Sequence, residues 1–168
     1  MHLLTPRLTF HPFTSEDAPF ILTLLNTRGF LQFIGDRGVR TLEDARQYLQ
    51  NGPMTSYRQH GFGLYRTDLT ETQTPIGMCG LIKRDGLDDV DLGYAFLPAY
   101  EGQGYATEAA SAMMTHAQQL GIPRVVAITA PDNERSIRVL EKIGLRFEKM
   151  ITLPNSGESK LFTPLKPL

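Results

Sequence analysis

The stretch from Leu92 to Gly121, LGYAFLPAYEGQGYATEAASAMMTHAQQLG, constrains this chain more than any other. Alternation predicts a strand in which Val90, Leu92, Tyr94 and Phe96 share one face while Asp91, Gly93, Ala95 and Leu97 share the other. Pro98 and a turn through Gly102 and Gly104 follow, and an amphipathic helix opens at about Tyr105. Its stripe, Ala106, Ala109, Ala110, Met113, Ala117 and Leu120, runs at spacings of 3, 4, 3, 4 and 3. The two glycines let the main chain approach a ligand closely, and the first helical N–H groups lack intrahelical partners at the positive end of the dipole. The turn is therefore a candidate phosphate site.

The helix stops at Gly121 and Pro123, and Arg124 to Ala130, RVVAITA, reads as a strand covered on both faces. Strand, helix and strand in that order imply a parallel crossover. Asp132 or Asn133 caps a further helix whose Ile137, Leu140 and Ile143 face inward, with Gly144 ending it.

Upstream, Leu8, Phe10 and Pro12 alternate with Arg7, Thr9 and His11 as the buried face of an opening strand. Ser15 then caps a helix carrying Phe20, Ile21, Leu24 and Leu25. Gly29 to Arg40 fits no period and reads as an ordered loop, either packing beneath a connection or walling a substrate cleft. Thr41 and Asp44 open another helix, which runs towards Asn51. Gly61 to Arg66 and Pro75 to Lys83 are strands that precede the one ending at Leu97, and the three form an antiparallel meander. Leu145 to Leu153 and Lys160 to Leu165, joined by Pro154 to Gly157, make a closing hairpin. The expected class is α/β with a mixed sheet of the α+β type, antiparallel early and parallel at its centre, with helices on both faces.

The length of 168 residues fits a single domain, residues 1–168. Seventeen Lys and Arg against eighteen Asp and Glu give a formal charge of -1, so no general field recruits nucleic acid or anionic lipid, and any anion must be held locally. The apolar runs are too short to span a membrane, and MHLLTPRLTF lacks the sections of a secretory signal, which makes the cytoplasm the expected location. The single cysteine, Cys79, lies between Met78 and Gly80 in a strand and reads as a core thiol rather than an acyl carrier. His2, His11, His60 and His116 have no metal-ligand spacing and read as surface or hydrogen-bonded residues.

Glycine-rich phosphate devices differ in spacing. A P-loop needs a lysine and a hydroxyl after its last glycine, and none follows Gly104. A dinucleotide fingerprint needs a third glycine where Thr107 stands. The pyrophosphate loop of coenzyme A acyltransferases, Q/R-x-x-G-x-G/A, is matched at Gly104 and Ala106, with Glu101 replacing the usual Gln or Arg. Through this loop the chain resembles the GNAT N-acetyltransferases. GYATEA, Asn133-x-x-Ser136, Glu141 to Leu145 and the opening Thr5-x-Arg7-Leu8 look like the ribosomal-protein alanine N-acetyltransferase branch of that family.

The resemblance implies acetyl-CoA bound between splayed strands Asp91 to Leu97 and Arg124 to Ala130, and direct attack of a primary amine on the thioester. It implies that the main chain of Ala95, Phe96 and Leu97 holds the pantetheine and polarises the acetyl oxygen, while Gln103, Gly104, Tyr105, Ala106 and Thr107 hold the pyrophosphate. Glu101 is expected to turn away. Asn133 contacts the pantetheine or the amine, caps its helix, or does both. The tyrosine that many relatives use as general acid is replaced by Leu140, which leaves Ser136 as the nearest group to stabilise the thiolate. Asp91 is either the general base or an exposed aspartate at a hairpin end, with a water chain as the other candidate base. The expected partners are acetyl-CoA and an amine acceptor, a protein N-terminus or a small amine, and a homodimer is compatible with the sequence. No metal is expected. A non-catalytic acyl-CoA sensor of the same fold is the alternative.

Overall fold

The computed structural model describes residues 3–154 and 157–165. Its centre is one sheet, in the order β1-β2-β3-β4-β5-β6-β8-β7. The strands are β1 (Leu3–Leu4), β2 (Leu8–Pro12), β3 (Leu64–Leu69), β4 (Thr74–Ile82), β5 (Val90–Phe96), β6 (Val125–Thr129), β7 (Leu145–Leu153) and β8 (Gly157–Pro164). Every neighbouring pair is antiparallel except β5 and β6, so the expected meander, parallel centre and closing hairpin are all present.

Helices cover both faces. Helix α4 (Tyr105–Gln119) and helix α5 (Glu134–Lys142) lie on the face that buries Leu92, Phe96, Met113 and Leu140. Helices α1 (Ala18–Leu25) and α2 (Leu42–Asn51) lie on the other, over Met78 and Ala95. The alternation along β5 thus sends its large residues under α4 and α5 and its small ones towards α1 and α2.

Local rules account for most boundaries. Thr41 accepts a hydrogen bond from Asp44 N at 3.0 Å and the Asp44 carboxylate accepts one from Thr41 N at 3.2 Å, which is the capping box that opens α2. The first helix begins differently. Thr14, not Ser15, is the cap, and it starts a 3-10 turn (Ser15–Asp17) because the Asp17 carboxylate folds back onto Thr14 N at 2.9 Å. Pro12 is exposed, so the buried face of β2 is Leu8 and Phe10 alone.

Two segments depart from the sequence reading. Gly29 to Arg40 contains one π-helical turn (Phe30–Ile34), with Phe30 buried. Helix α3 (Pro53–His60) fills the space between α2 and β3, ending at Gly61 with φ 78°, so the strand expected from Gly61 begins only at Leu64.

The feature that positions a site is the parking of β6 beside β5. They pair only at Val90↔Val125 and Asp91↔Val126. Beyond Asp91, β5 continues to Phe96 with nothing hydrogen-bonded to its β6 side among the described residues, while β6 pairs with β8 through Ala127, Ile128 and Thr129. The gap between them is the splay expected of this fold.

Candidate active site

Peptide direction along β5 decides what faces the gap. Leu97 N donates to Ile76 O on β4 at 2.8 Å. Peptide edges alternate along a strand, so Leu97 and Ala95 point to β4 and Tyr94 and Phe96 point into the gap. Of the expected trio only Phe96 presents its N–H and C=O there, and Tyr94 joins it. Ala95 lines the gap with its side chain.

The turn leading to α4 has the geometry of an anion site. Gly102 and Gly104 have φ of 73° and 85°, values that a side chain disfavours, and Gly104 opens α4 with no side chain capping it. Glu108 N bonds to Gly104 O at 3.0 Å, which leaves the N–H groups of Tyr105, Ala106 and Thr107 free at the helix start. Gln103 turns its amide onto Ala99 O at 3.0 Å, so it shapes the turn. The amino-terminal strand region braces it: Arg7 reaches Gln103 O at 3.0 Å and Glu108 at 2.7 Å and lies 4.3 Å over the Tyr105 ring, while Thr5 bonds Glu108 at 2.5 Å. Burial would raise the Glu108 pKa, but the hydrogen bonds from Thr5 and Arg7 outweigh it and hold the carboxyl below its ordinary range. This brace was signalled by Thr5-x-Arg7-Leu8 and by the Glu of GYATEA, but its pairing joins residues a hundred positions apart.

Glu101 does turn away from the turn, and it does so onto Arg135 of α5 as an ion pair across the mouth of the gap. Arg138 and Lys142 line the same groove further along α5.

Two cavities flank the gap. One, of about 740 Å³, runs from the glycine turn along α5. The other, of about 450 Å³, lies over β4 and β5 beneath α2, α3 and the π-helical turn. Both are lined by Tyr94, Asn133 and Ser136. The Tyr94 hydroxyl lies 2.8 Å from Ser136 Oγ, and Asn133 Oδ1 accepts from Ser136 N at 3.3 Å, so Asn133 is the cap of α5. Burial pushes the Tyr94 phenol well above its ordinary pKa and the hydrogen bond to Ser136 only partly opposes this, so it stays protonated.

Asp91 lies in the smaller cavity and is not the exposed hairpin residue that one reading allowed. It is fully buried, and Arg84 approaches both its oxygens at 3.3 Å. Burial raises its pKa and Arg84 pulls against the rise. Leu140 is buried on the inner face of α5, with a relative exposure of 1%. Cys79 is wholly enclosed in β4 and burial pushes its thiol up, which makes it a core residue. His116 is neither exposed nor paired: its Nε2 is buried without a partner. Among the described residues no cluster of His, Cys, Asp or Glu has the makings of a metal site, and no helix is long and apolar enough to cross a membrane.

The acetyltransferase (GNAT) domain family matches residues 7–146. An uncharacterized N-acetyltransferase of Bacillus subtilis is 28% identical over 149 residues, covering 88% of this chain and 84% of its own. The fold superposes on an acetyltransferase of the GNAT family from Bacillus anthracis with a TM-score of 0.78 at 25% identity, covering 97% of this chain and 96% of that one. It also matches a ribosomal α-N-protein acetyltransferase in complex with coenzyme A with a TM-score of 0.84, at 17% identity over 99% of this chain and 98% of that one. With the splayed central strands and the glycine turn, these matches place the chain in the GNAT acetyltransferase family, as an acetyl-CoA-dependent N-acetyltransferase.

Proposed function

We propose that acetyl-CoA occupies the larger cavity, an amine acceptor enters the smaller one, and transfer takes place where the two share Tyr94, Asn133 and Ser136. That shared lining is the observation that carries the reading. The N–H groups of Tyr105, Ala106 and Thr107 hold the pyrophosphate, with Gln103 and Gly104 fixing the turn. The peptide edges of Tyr94 and Phe96 take the pantetheine and polarise the acetyl oxygen, beside the Ala95 side chain, while Leu97 anchors the strand end.

The acceptor nitrogen attacks the thioester carbonyl, the new C–N bond forms and the C–S bond breaks. Asp91, on the acceptor side, takes the amine proton directly or through a water. Ser136 donates a proton to the departing thiolate, its oxygen held meanwhile by the Tyr94 O–H, and takes a proton back from solvent as the coenzyme leaves. A phenol thus reaches the leaving group from β5 instead of from the Leu140 position. The acceptor is a primary amine, and a protein α-amine, with a pKa of about 7.7 to 8.0, suits a site whose one base is a carboxylate better than a lysine near 10.4.

Calorimetry with acetyl-CoA tests the placement. Binding to the parent and its loss in Gly104→Glu, which sets a carboxylate among the free N–H groups, is the expected result. No binding to the parent would sink it.

A further inference from the structure

The acceptor cavity is uneven in charge. Three cations line one part of it: Arg37 from the loop after the π-helical turn, and Lys83 and Arg84 from the end of β4. Among the described residues, the carboxylates lining the cavity are Asp91 and Glu158. Asp91 is engaged by Arg84, at distances of 3.3 Å that are long for a charge-assisted bond. Lys83 is held by the carbonyls of Leu87 and Asp88 at 2.6 and 3.1 Å and makes no ion pair with a described residue. Arg37 makes no side-chain hydrogen bond or ion pair with any described residue. Tyr48 also lines this cavity, and its hydroxyl makes no hydrogen bond to a described residue. Arg37, Tyr48 and Arg84 thus line one cavity together, and the two guanidinium groups favour a negative charge there.

Donors that converge without acceptors define the missing ligand. Tyr48 offers an O–H, Arg37 a planar fork, and Arg84 a fork that its carboxylate partner does not fully use. We infer that the acceptor of this enzyme carries an acidic side chain close to its amine, whose carboxylate Arg37, Tyr48 and Arg84 receive while the amine faces Asp91. Arg84 then stands between two carboxylates, one from the protein and one from the acceptor, and the amine supplies the balancing positive charge before it loses its proton. A polyamine or an aminoglycoside brings only positive charge to three cations and is disfavoured.

This inference rests on the acetyl transfer reading, and the experiment separates the two. Coenzyme thiol release from acetyl-CoA is followed with matched acceptors: free glutamate and glutamine, tripeptides led by Glu or Gln, and spermidine. Glutamate is expected to exceed glutamine, or the Glu-led peptide its Gln-led counterpart, by about tenfold or more in kcat/KM, the scale of one charge-assisted contact. Which of the two pairs discriminates tells a free amino acid from an acidic chain terminus. Arg37→Gln and Tyr48→Phe, whose side chains support no described hydrogen bond, are expected to erase the preference and leave acetyl-CoA binding by calorimetry unchanged. Equal rates within both pairs, or preference for spermidine, overturn the inference while leaving the transferase reading intact. Coenzyme binding without turnover of any amine overturns both.

Discussion

The Tyr94 hydroxyl stands 2.8 Å from Ser136 Oγ, and this one contact bridges β5 and α5 across the gap where the two cavities meet. It couples a protonated, buried phenol to the serine nearest the expected position of the thiolate.

If Ser136 is the proton donor, Ser136→Ala lowers kcat by about 100-fold or more, within the range of general acid catalysis, with a smaller change in the KM for acetyl-CoA. Tyr94→Phe lowers kcat less, by about tenfold, since Ser136 keeps its own proton. Steady-state kinetics of both variants and of the double variant check this, and independent, additive losses would show that the two do not act as a pair.

As the proposed base, Asp91 would set a pH limb. Its carboxyl must be ionised to accept a proton, and burial raises its pKa, so kcat/KM climbs with pH through that raised value. A protein α-amine adds a second rise of the same sign near pH 7.7 to 8.0. In Asp91→Asn the first limb disappears and the second remains. A pH profile unchanged by the substitution would leave water as the base.

The glycine turn gives a smaller, structural test. Gly104 has φ 85°, and a methyl placed there would lie 3.2 Å from Arg7 Nη2. Gly104→Ala therefore costs about 1–2 kcal/mol in thermal or denaturant unfolding through backbone strain, and acetyl-CoA binds it more weakly. Gly102 has open space around it, so the same change there tests strain without the contact.

Much of this was legible in the sequence because it depends on neighbours along the chain. The strand to Leu97, the turn, the helix from Tyr105 and the Asn133 cap follow from alternation, glycine placement and helical spacing. Helix α3 was not legible: PMTSYRQH has no apolar stripe, and Pro53 and Gly61 bracket it in a way that also suits a loop. Asp91 looked equally at home on a surface, because its burial is imposed by β6 alongside and by Arg84 seven residues earlier. Tyr94 reads in the sequence only as part of a strand's buried stripe, because its partner lies 42 residues away on another element.

His116 makes acid stability depend on one ring. It is buried against Tyr65 with Nε2 unpaired, and burial lowers its pKa from the ordinary 6.5. The folded state resists protonation more than the unfolded one, so its contribution is full above about pH 6.5 and is lost as pH falls towards the lowered value. His116→Leu is expected to narrow the difference in Tm between about pH 7.5 and 5, and to gain about 1 kcal/mol at neutral pH by removing an unpaired polar atom. An equal or wider difference would place the acid sensitivity elsewhere.

Glu101 and Arg135 meet over the mouth of the larger cavity. Any phosphate arriving there finds the Arg135 guanidinium already engaged, so ligand and Glu101 are rivals for one cation. Affinity at that position is a difference between two ion pairs, not the strength of one. Salt weakens both rivals together, and coenzyme binding should feel ionic strength less than the cations along α5 would suggest.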